Sequence, residues 1–305
     1  MDKYQEHLLE VIADLHGIPE GAYNIRSNGQ SVGRASTAHI EIEPQKDRPG
    51  INVYIKPETQ HEAVHIPVVL SQAGLKDVVY NDFYVGEGAD VVIVAGCGIH
   101  CGSDDGSQHD GIHTFHIGKN ARVRYVEKHY GDGDGKGQKI MNPETIVHME
   151  EGSYMEMETT QIKGVDSTKR VTKADLAASA TFIVKEKLMT DGAQFAETEF
   201  EVELNGKDSS TDVVSRAVAR GTSHQIFRAK VIGNAQCHGH SACDSIIMDD
   251  AKISAIPELT ANDTDAALIH EAAIGKIAGE QLIKLMTLGL TAEEAEEMII
   301  QGFLK

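Results

Sequence analysis

The order of polar and apolar positions divides the chain into three parts. Leu8, Leu9, Ile12 and Leu15 lie on one helical stripe that Gly17 and Pro19 close, so residues 1–30 are predicted to form an N-terminal helical segment. Residues 31–262 are dominated by short β-type runs, among them Asn52-Val53-Tyr54-Ile55, Val91-Val92-Ile93-Val94 and Arg122-Val123-Arg124-Tyr125-Val126. Thr198 to Leu204 alternates polar and apolar residues, as a strand with one buried face does. From 263 to 305 the pattern turns helical. Ile274, Ile277, Ala278, Leu282 and Leu285 share a face, Gly289 fits a C-cap, and Thr291 with Glu294 makes a capping box. Ala295, Met298, Ile299 and Phe303 give the second helix its apolar face, and Ile283, Met286 and Ile300 widen the apolar surface toward a possible partner. Capping of the open end of the middle region explains the same surface equally well.

The middle region repeats itself. A turn residue, a small residue, a polar residue and an apolar residue recur at Gly88, Asn120, Gly152, Gly192, Asn234 and Asp250. The spacings are 32, 32, 40, 42 and 16 residues. Gly, Asn and Asp tolerate the left-handed backbone of a sharp corner, and the apolar residue that follows points back to a core. Recurrence near multiples of 16 fits a solenoid whose rungs are strands, with some rungs skipped or enlarged. A β-sandwich with glycine-rich turns also spaces its turn signals regularly. The predicted fold class is mainly β, a solenoid core with a short N-terminal helix and a C-terminal helical subdomain.

Charge narrows the function. The 305 residues hold 28 Lys and Arg against 47 Asp and Glu, a net charge of −19. Such a surface repels phosphate backbones and anionic lipid, so no nucleic acid and no membrane partner is expected. The chain contains no Trp, and aromatics are only 5%, so stacking platforms for single strands are scarce. Its first residues carry no basic stretch followed by an apolar run, and the expected location is cytoplasmic.

Four cysteines fall in two tight groups, which points to metal or sulfur chemistry rather than structural disulfides. The denser group runs Cys237-His238-Gly239-His240-Ser241-Ala242-Cys243-Asp244. Thiolate and imidazole bind iron and zinc, or carry sulfur as a persulfide, yet the spacing matches no ordinary zinc finger. Cys237 occupies the apolar slot of the repeat, where an inert core thiol is the competing explanation, whereas Cys243 escapes that argument. His238 reads as structural and His240 as slightly better placed. Cys97 and Cys101, followed by His109, His113 and His116, form a weaker candidate metal region. His270-Glu271 by itself is weak evidence, because ion pairing or capping explains most such pairs. The Gly131 to Gly135 run lacks the closing Glu of a calcium loop and reads as a flexible turn. No Walker A loop, nucleophile elbow or dinucleotide fingerprint is present.

From Cys243 to Phe303 the chain resembles the C-terminal core of the SufB/SufD family of iron–sulfur cluster assembly scaffolds. The resemblance rests on Cys243-Asp244-Ser245-Ile246-Ile247-Met248, Leu268-Ile269-His270-Glu271-Ala272 and Ile274 to Leu282. Gly289 to Ala295 and Met298 to Phe303 complete it. It implies a right-handed parallel β-helix, a function as scaffold rather than enzyme, and a transient iron–sulfur cluster as cofactor. It further implies a SufC-type ABC ATPase bound through the C-terminal helices, whose ATP-driven dimerisation distorts the scaffold and exposes the assembly site. A dimer paired side by side through the β-helix, a sulfur donor and apo-protein recipients complete the implied partners. Carried over, Cys243 matches the cysteine that takes sulfur or holds the nascent cluster, and His270 and Glu271 match the His-Glu ligands. Ile269 stands where some members carry a further carboxylate. The presence of Cys243 and His270-Glu271 together points to a homodimer. The competing reading is a zinc-dependent hydrolase or lyase on a β-helix, which needs an open coordination position and a cleft with a general base.

Overall fold

The computed structural model describes residues 3–305. Helix α1 (Lys3–Ala13) precedes twenty strands between Ala22 and Gly275, and α2 (Gly279–Met286) and α3 (Ala292–Phe303) follow them. The strands form two sheets that face each other across one core, and the chain passes from one to the other as it climbs through about eight turns. Apart from two antiparallel pairs at the start, Ala22–Ser27 with Gln30–Ala35 and Ile40–Pro44 with Gly50–Ile55, neighbouring strands run parallel. This is a β-solenoid, as the repeats predict.

The turn length explains the irregular spacing of the sequence signature. Asp90 pairs with Arg122, 32 residues on, Tyr154 with Thr181, 27 on, and Thr181 with Ser210, 29 on. One turn therefore spans about thirty residues and two strands. Gly88, Asn120 and Gly152 mark one corner at successive turns, and Gly192 marks the opposite corner one and a half turns later. At the last repeat the left-handed residue is Asp249, with φ 53°, rather than Asp250. Glu58, Gly88, Asn120, Gly152, Ser179 and Asp208 all have φ between 56° and 69° and stack on one edge. Each donates its backbone N–H to the carbonyl just before the left-handed position, or its equivalent, one turn on: Glu87, Lys119, Glu151, Ala178, Lys207 and Gln236, at 2.8–3.1 Å. The corner is thus a hydrogen-bonded ladder as well as the sheets.

Several boundaries differ from the sequence pattern. Strand structure begins at Ala22, inside the segment expected to be helical, and α1 stops at Ala13 where Asp14 turns left-handed. Helix was expected from Asp263, yet Ala266–Gly275 is the last strand and Ile274 lies on it. Its Ala266 and Leu268 pack on the core, and that tertiary demand overrides helix propensity. The Gly131–Gly135 run is no flexible turn. A Cβ at Gly133 would lie 2.1 Å from Cys101 O and one at Gly135 2.1 Å from Ser103 O, so the run lies flat on the preceding turn. Gly135 N–H and Gly137 N–H bond to Cys101 O and Ser103 O, both at 3.0 Å.

Helix α1 covers the outer face of the first sheet. Leu8, Leu9 and Ile12 pack there against Ile25 and Val69. Gly96 and Gly98 leave the room, since a Cβ on Gly98 would sit 3.0 Å from Leu8 Cβ. The C-terminal hairpin docks farther along by Ile300 and Leu304, which pack on Val218. Ile300, expected to widen an exposed surface, is therefore part of that packing. The capping box at Thr291 and Glu294 is present as expected.

The core is apolar around stacked Phe83 and Phe115, centroids 4.5 Å apart, but a polar string runs beside it. His113 is buried among Asn81, Tyr125 and Glu127. Its Nδ1 lies 2.8 Å from the Tyr125 hydroxyl, which donates to Glu127 at 3.2 Å, and Asn81 donates to its Nε2 at 3.3 Å. Arg170 pairs with Glu127 and stands 4.0 Å from Glu186. Burial works against the charged Glu127, yet Arg170 and His129 outweigh it and hold that carboxyl well below the usual range. Burial pushes Glu186 up despite hydrogen bonds from Ser215 at 2.6 Å and Thr198 at 2.9 Å.

Two predictions follow from this string. Arg170→Met should strand a buried carboxylate and cost about 3–5 kcal/mol in urea unfolding at pH 7. Burial lowers His113 to about 4. The unfolded chain then takes up a proton near 6.5 that the folded chain refuses, so stability is full above that pH and falls as pH drops toward 4. The loss between pH 7.5 and 5 should be about 2 kcal/mol, and His113→Gln should flatten that limb.

Candidate metal and sulfur site

Strand Cys237–Ile247 lies next to last in the first sheet, and Ala266–Gly275 ends it. Alternation sends Cys237, Gly239, Ser241, Cys243 and Ser245 inward and His238, His240 and Asp244 outward. The lumen is narrow here. A Cβ on Gly239 would meet Leu268 Cδ2 at 2.7 Å and Val231 Cγ1 at 2.8 Å.

Cys243 is 1% exposed and belongs to the core cluster. It is flanked in register by Ser215 on one side and Ala272 on the other, and its Sγ is 3.5 Å from Ser245 Oγ. Burial raises the thiol pKa and the nearby Glu186 adds to that, while the contact with Ser245 opposes it. The thiol therefore stays protonated at neutral pH.

His270 stands on the terminal strand opposite Ser241, which is two residues from Cys243 on the same inward face. Its Nδ1 is 2.7 Å from Ser241 Oγ, and its Nε2 is buried with no hydrogen-bond partner. Burial lowers its pKa, and His240 adds to the effect, so the ring is neutral. Glu271 faces the other way. It is exposed on the outer surface, with Oε2 3.9 Å from His240 Nε2, and His240 Nδ1 donates to Asp212 at 2.8 Å. The candidate residues thus split into an inner pair, Cys243 and His270, and an outer group of His240, Glu271 and Asp212. Among the described residues, no three of His, Cys, Asp and Glu converge as a metal site within one copy.

The remaining cysteines are packing residues in this fold. Cys237 is fully buried beside Gly233, whose missing side chain makes room for the sulfur. Cys97 is buried on the inner face of Asp90–His100, and burial pushes its thiol well up. That strand is five strands from Cys243 along the sheet, about 24 Å at 4.8 Å per strand, so the two thiols do not meet. Cys101 donates to Ser103 O at 3.3 Å and lies 3.4 Å from Asp105 O, which ties its own loop. Ser241 and Asp212 escaped the sequence reading. The available signal was the turn length: Asp212 precedes His240 by 28 residues, and Ser241 precedes His270 by 29.

Comparison with known proteins identifies the family. The family model described as SUF system FeS cluster assembly, SufBD core domain, matches residues 77–303. The chain belongs to the SufBD family. An iron–sulfur cluster assembly SufBD family protein of Archaeoglobus fulgidus is 29% identical over 270 residues, 87% of this chain and 71% of the relative. One from Methanothermobacter thermautotrophicus is 31% identical over 74% of this chain, which spans 54% of that relative. A third, from Methanocaldococcus jannaschii, is 28% identical over 79% of the chain and 76% of the relative. The SufBD match takes in both strands of the site and α2 and α3. This is a family of assembly proteins, and no helix among the described residues is long and apolar enough to cross a membrane.

The burial of all four thiols has a direct readout. A disulfide exchange reagent at pH 7.5 should titrate fewer than about one thiol in the native chain within minutes, and all four after denaturation. Rapid native labelling of Cys243 would contradict the geometry.

Proposed function

We propose that this SufBD protein is the scaffold of a SUF-type complex on which an iron–sulfur cluster is built where two copies meet, and from which it passes to apo-proteins. The observation that carries the reading is His270 Nε2, a buried imidazole nitrogen without a partner, one strand from Cys243 at the open end of the solenoid. With Nδ1–H donating to Ser241, the Nε2 lone pair is directed to a ligand. A neutral imidazole and a thiolate suit iron, and a carboxylate such as Glu271 is a more exchangeable ligand, useful where the cargo must leave.

The ends of the solenoid support pairing there rather than along its flat side. Antiparallel strands blunt the beginning, with Glu41, Glu43 and Pro44 on the edge. The second sheet ends on Lys252–Ala261, which carries Pro257. The first sheet ends on ten residues, Ala266–Gly275, with no Pro, Lys or Arg, and Ile269 and Ile274 are exposed on it. Such an edge is a template for a second strand. A second copy there would bring another His270 and Glu271 to the cysteine and complete a ligand set that one copy lacks.

The apolar residues of the C-terminal hairpin support docking of an ABC-type ATPase. Helix α2 buries no residue, and Ile283 is 62% exposed, with Met286, Leu288 and Met298 also open. Cys243 is too buried to ionise readily, so a partner that distorts the solenoid end would open the thiol at the moment of use. Among the described residues of one copy, the converging trio of ligands that a zinc hydrolase needs is not found.

Anaerobic reconstitution tests this directly. The purified chain given iron and sulfide should gain a visible charge-transfer spectrum, which Cys243→Ala and His270→Ala should each abolish and Cys97→Ala should retain. Equal iron and sulfide on Cys243→Ala would refute the assignment.

A further inference from the structure

A cluster of cations stands on the outer face of the first sheet, and Cys243, His270 and Glu271 are not among its neighbours in the cavity. A cavity of about 400 Å³ opens there beside the C-terminal end of α3, lined by Lys185, Lys187, Arg216 and Lys305 with Glu158, Asp212 and the buried Glu186. All three acids are engaged elsewhere, Glu186 by Ser215 at 2.6 Å and Thr198 at 2.9 Å. Glu158 accepts from Arg124 at 3.0 Å, and Asp212 holds His240 at 2.8 Å. Lys185 is neutralised by Glu156 at 2.8 Å. Lys187, Arg216 and Lys305 make no ion pair among the described residues, which leaves three uncompensated cations around one cavity.

The register brings two cations together here. Lys187 and Arg216 are direct partners on adjacent strands and face the same way. Like charges placed so are destabilising. Asp244 follows Arg216 in the same column but forms no ion pair with it. The outer face of the second sheet is built differently: Lys230 lies between Glu201 at 3.3 Å and Glu258 at 3.8 Å, and Arg228 meets Glu197 at 3.0 Å. The fold can alternate charges between turns, and in a chain of −19 the acidic residues to do so are plentiful. Here it does not.

We propose that this groove binds a small polyanion, a phosphate ester or a polycarboxylate with at least two negative charges. The Arg216 guanidinium offers a planar fork for an oxyanion, Lys187 supplies a second charge from the neighbouring strand, and Lys305 closes the site from the end of α3. The volume suits a small metabolite rather than a polymer. The backbone beneath is sheet, so the charges are held in place before the ligand arrives. The inference does not rest on the assembly reading, because Cys243, His270 and Glu271 do not line the cavity, and Asp212 is its one residue shared with the outer group.

Titration calorimetry on the full chain in metal-free, low-salt buffer tests it with two probes, pyrophosphate and citrate. At least one should bind with Kd below about 1 mM, weakening as salt rises. Binding of pyrophosphate alone would assign the phosphate class, of citrate alone the polycarboxylate class, and of both a site that reads charge. Arg216→Glu and Lys187→Glu should each weaken binding at least about tenfold, while Lys230→Glu on the opposite sheet should change it less than about twofold. Without anion, Lys187→Gln should raise the melting temperature by relieving the like-charge pair. Failure of both probes at about 5 mM, parental affinity in both glutamate variants, or a lower melting temperature for Lys187→Gln would overturn the proposal.

Discussion

The hydrogen-bonded register between successive turns governs this molecule. Once Asp90 is paired with Arg122 and Thr181 with Ser210, each side chain acquires fixed neighbours one turn above and below, about thirty residues away in sequence. The left-handed corner residues reinforce the same register at the edge of the sheets. A slip of one residue would turn every inward side chain outward, so the apolar columns and the buried polar string hold the register as firmly as the backbone does. The ion pair of Arg170 with Glu127 and the hydrogen bonds on Glu186 exist because residues from neighbouring turns are delivered at that spacing.

A ladder of this kind has to stop, and how it stops sets the chemistry. At the beginning, chain reversal and α1 cover the first turns. At the other end the last strand has no covering, and the polar atoms that an additional turn would satisfy are left over. His270 Nε2 is such an atom. An uncapped solenoid end is costly for an isolated protein, through its exposed edge and its unpaired nitrogen. Both costs are removed if the end is an interface, and the same residues then become ligands. On the proposed reading, stability and function make opposite demands on this strand.

Much of this was legible in the sequence, for reasons that differ by residue. Gly88, Asn120 and Gly152 mark corners because only a few residue types tolerate the left-handed backbone, so the solenoid could be read from them. The true turn length was hidden because the signature also marks the opposite corner, which produced spacings of 40 and 42. The slot of Cys237 in the repeat raised a core thiol as one of two readings, and the residue is buried there. Cys243 could not be read this way, because its inward orientation follows from counting along the strand rather than from any local motif. Residues 266–275 resembled a helix because Ala, Leu and Ile suit either structure, and only packing against the preceding turn decides. Ser241 and Asp212 were invisible as site residues until the turn length was known.

The sidedness of the site carries the last step. Counting along Ala266–Gly275 puts His270 and Glu271 on opposite faces, so one copy cannot aim both at the sulfur of Cys243 without breaking the strand. If all three serve one cluster, either the terminal strand leaves the sheet or the carboxylate comes from another copy. The strand is held by a full ladder on one side only, which makes release of its end cheaper than release of any interior strand. Under the proposed function the buried thiol and the outward carboxylate therefore carry one requirement: a movement or a partner at the solenoid end would have to bring them together, because the alternation of a single strand keeps His270 and Glu271 on opposite faces.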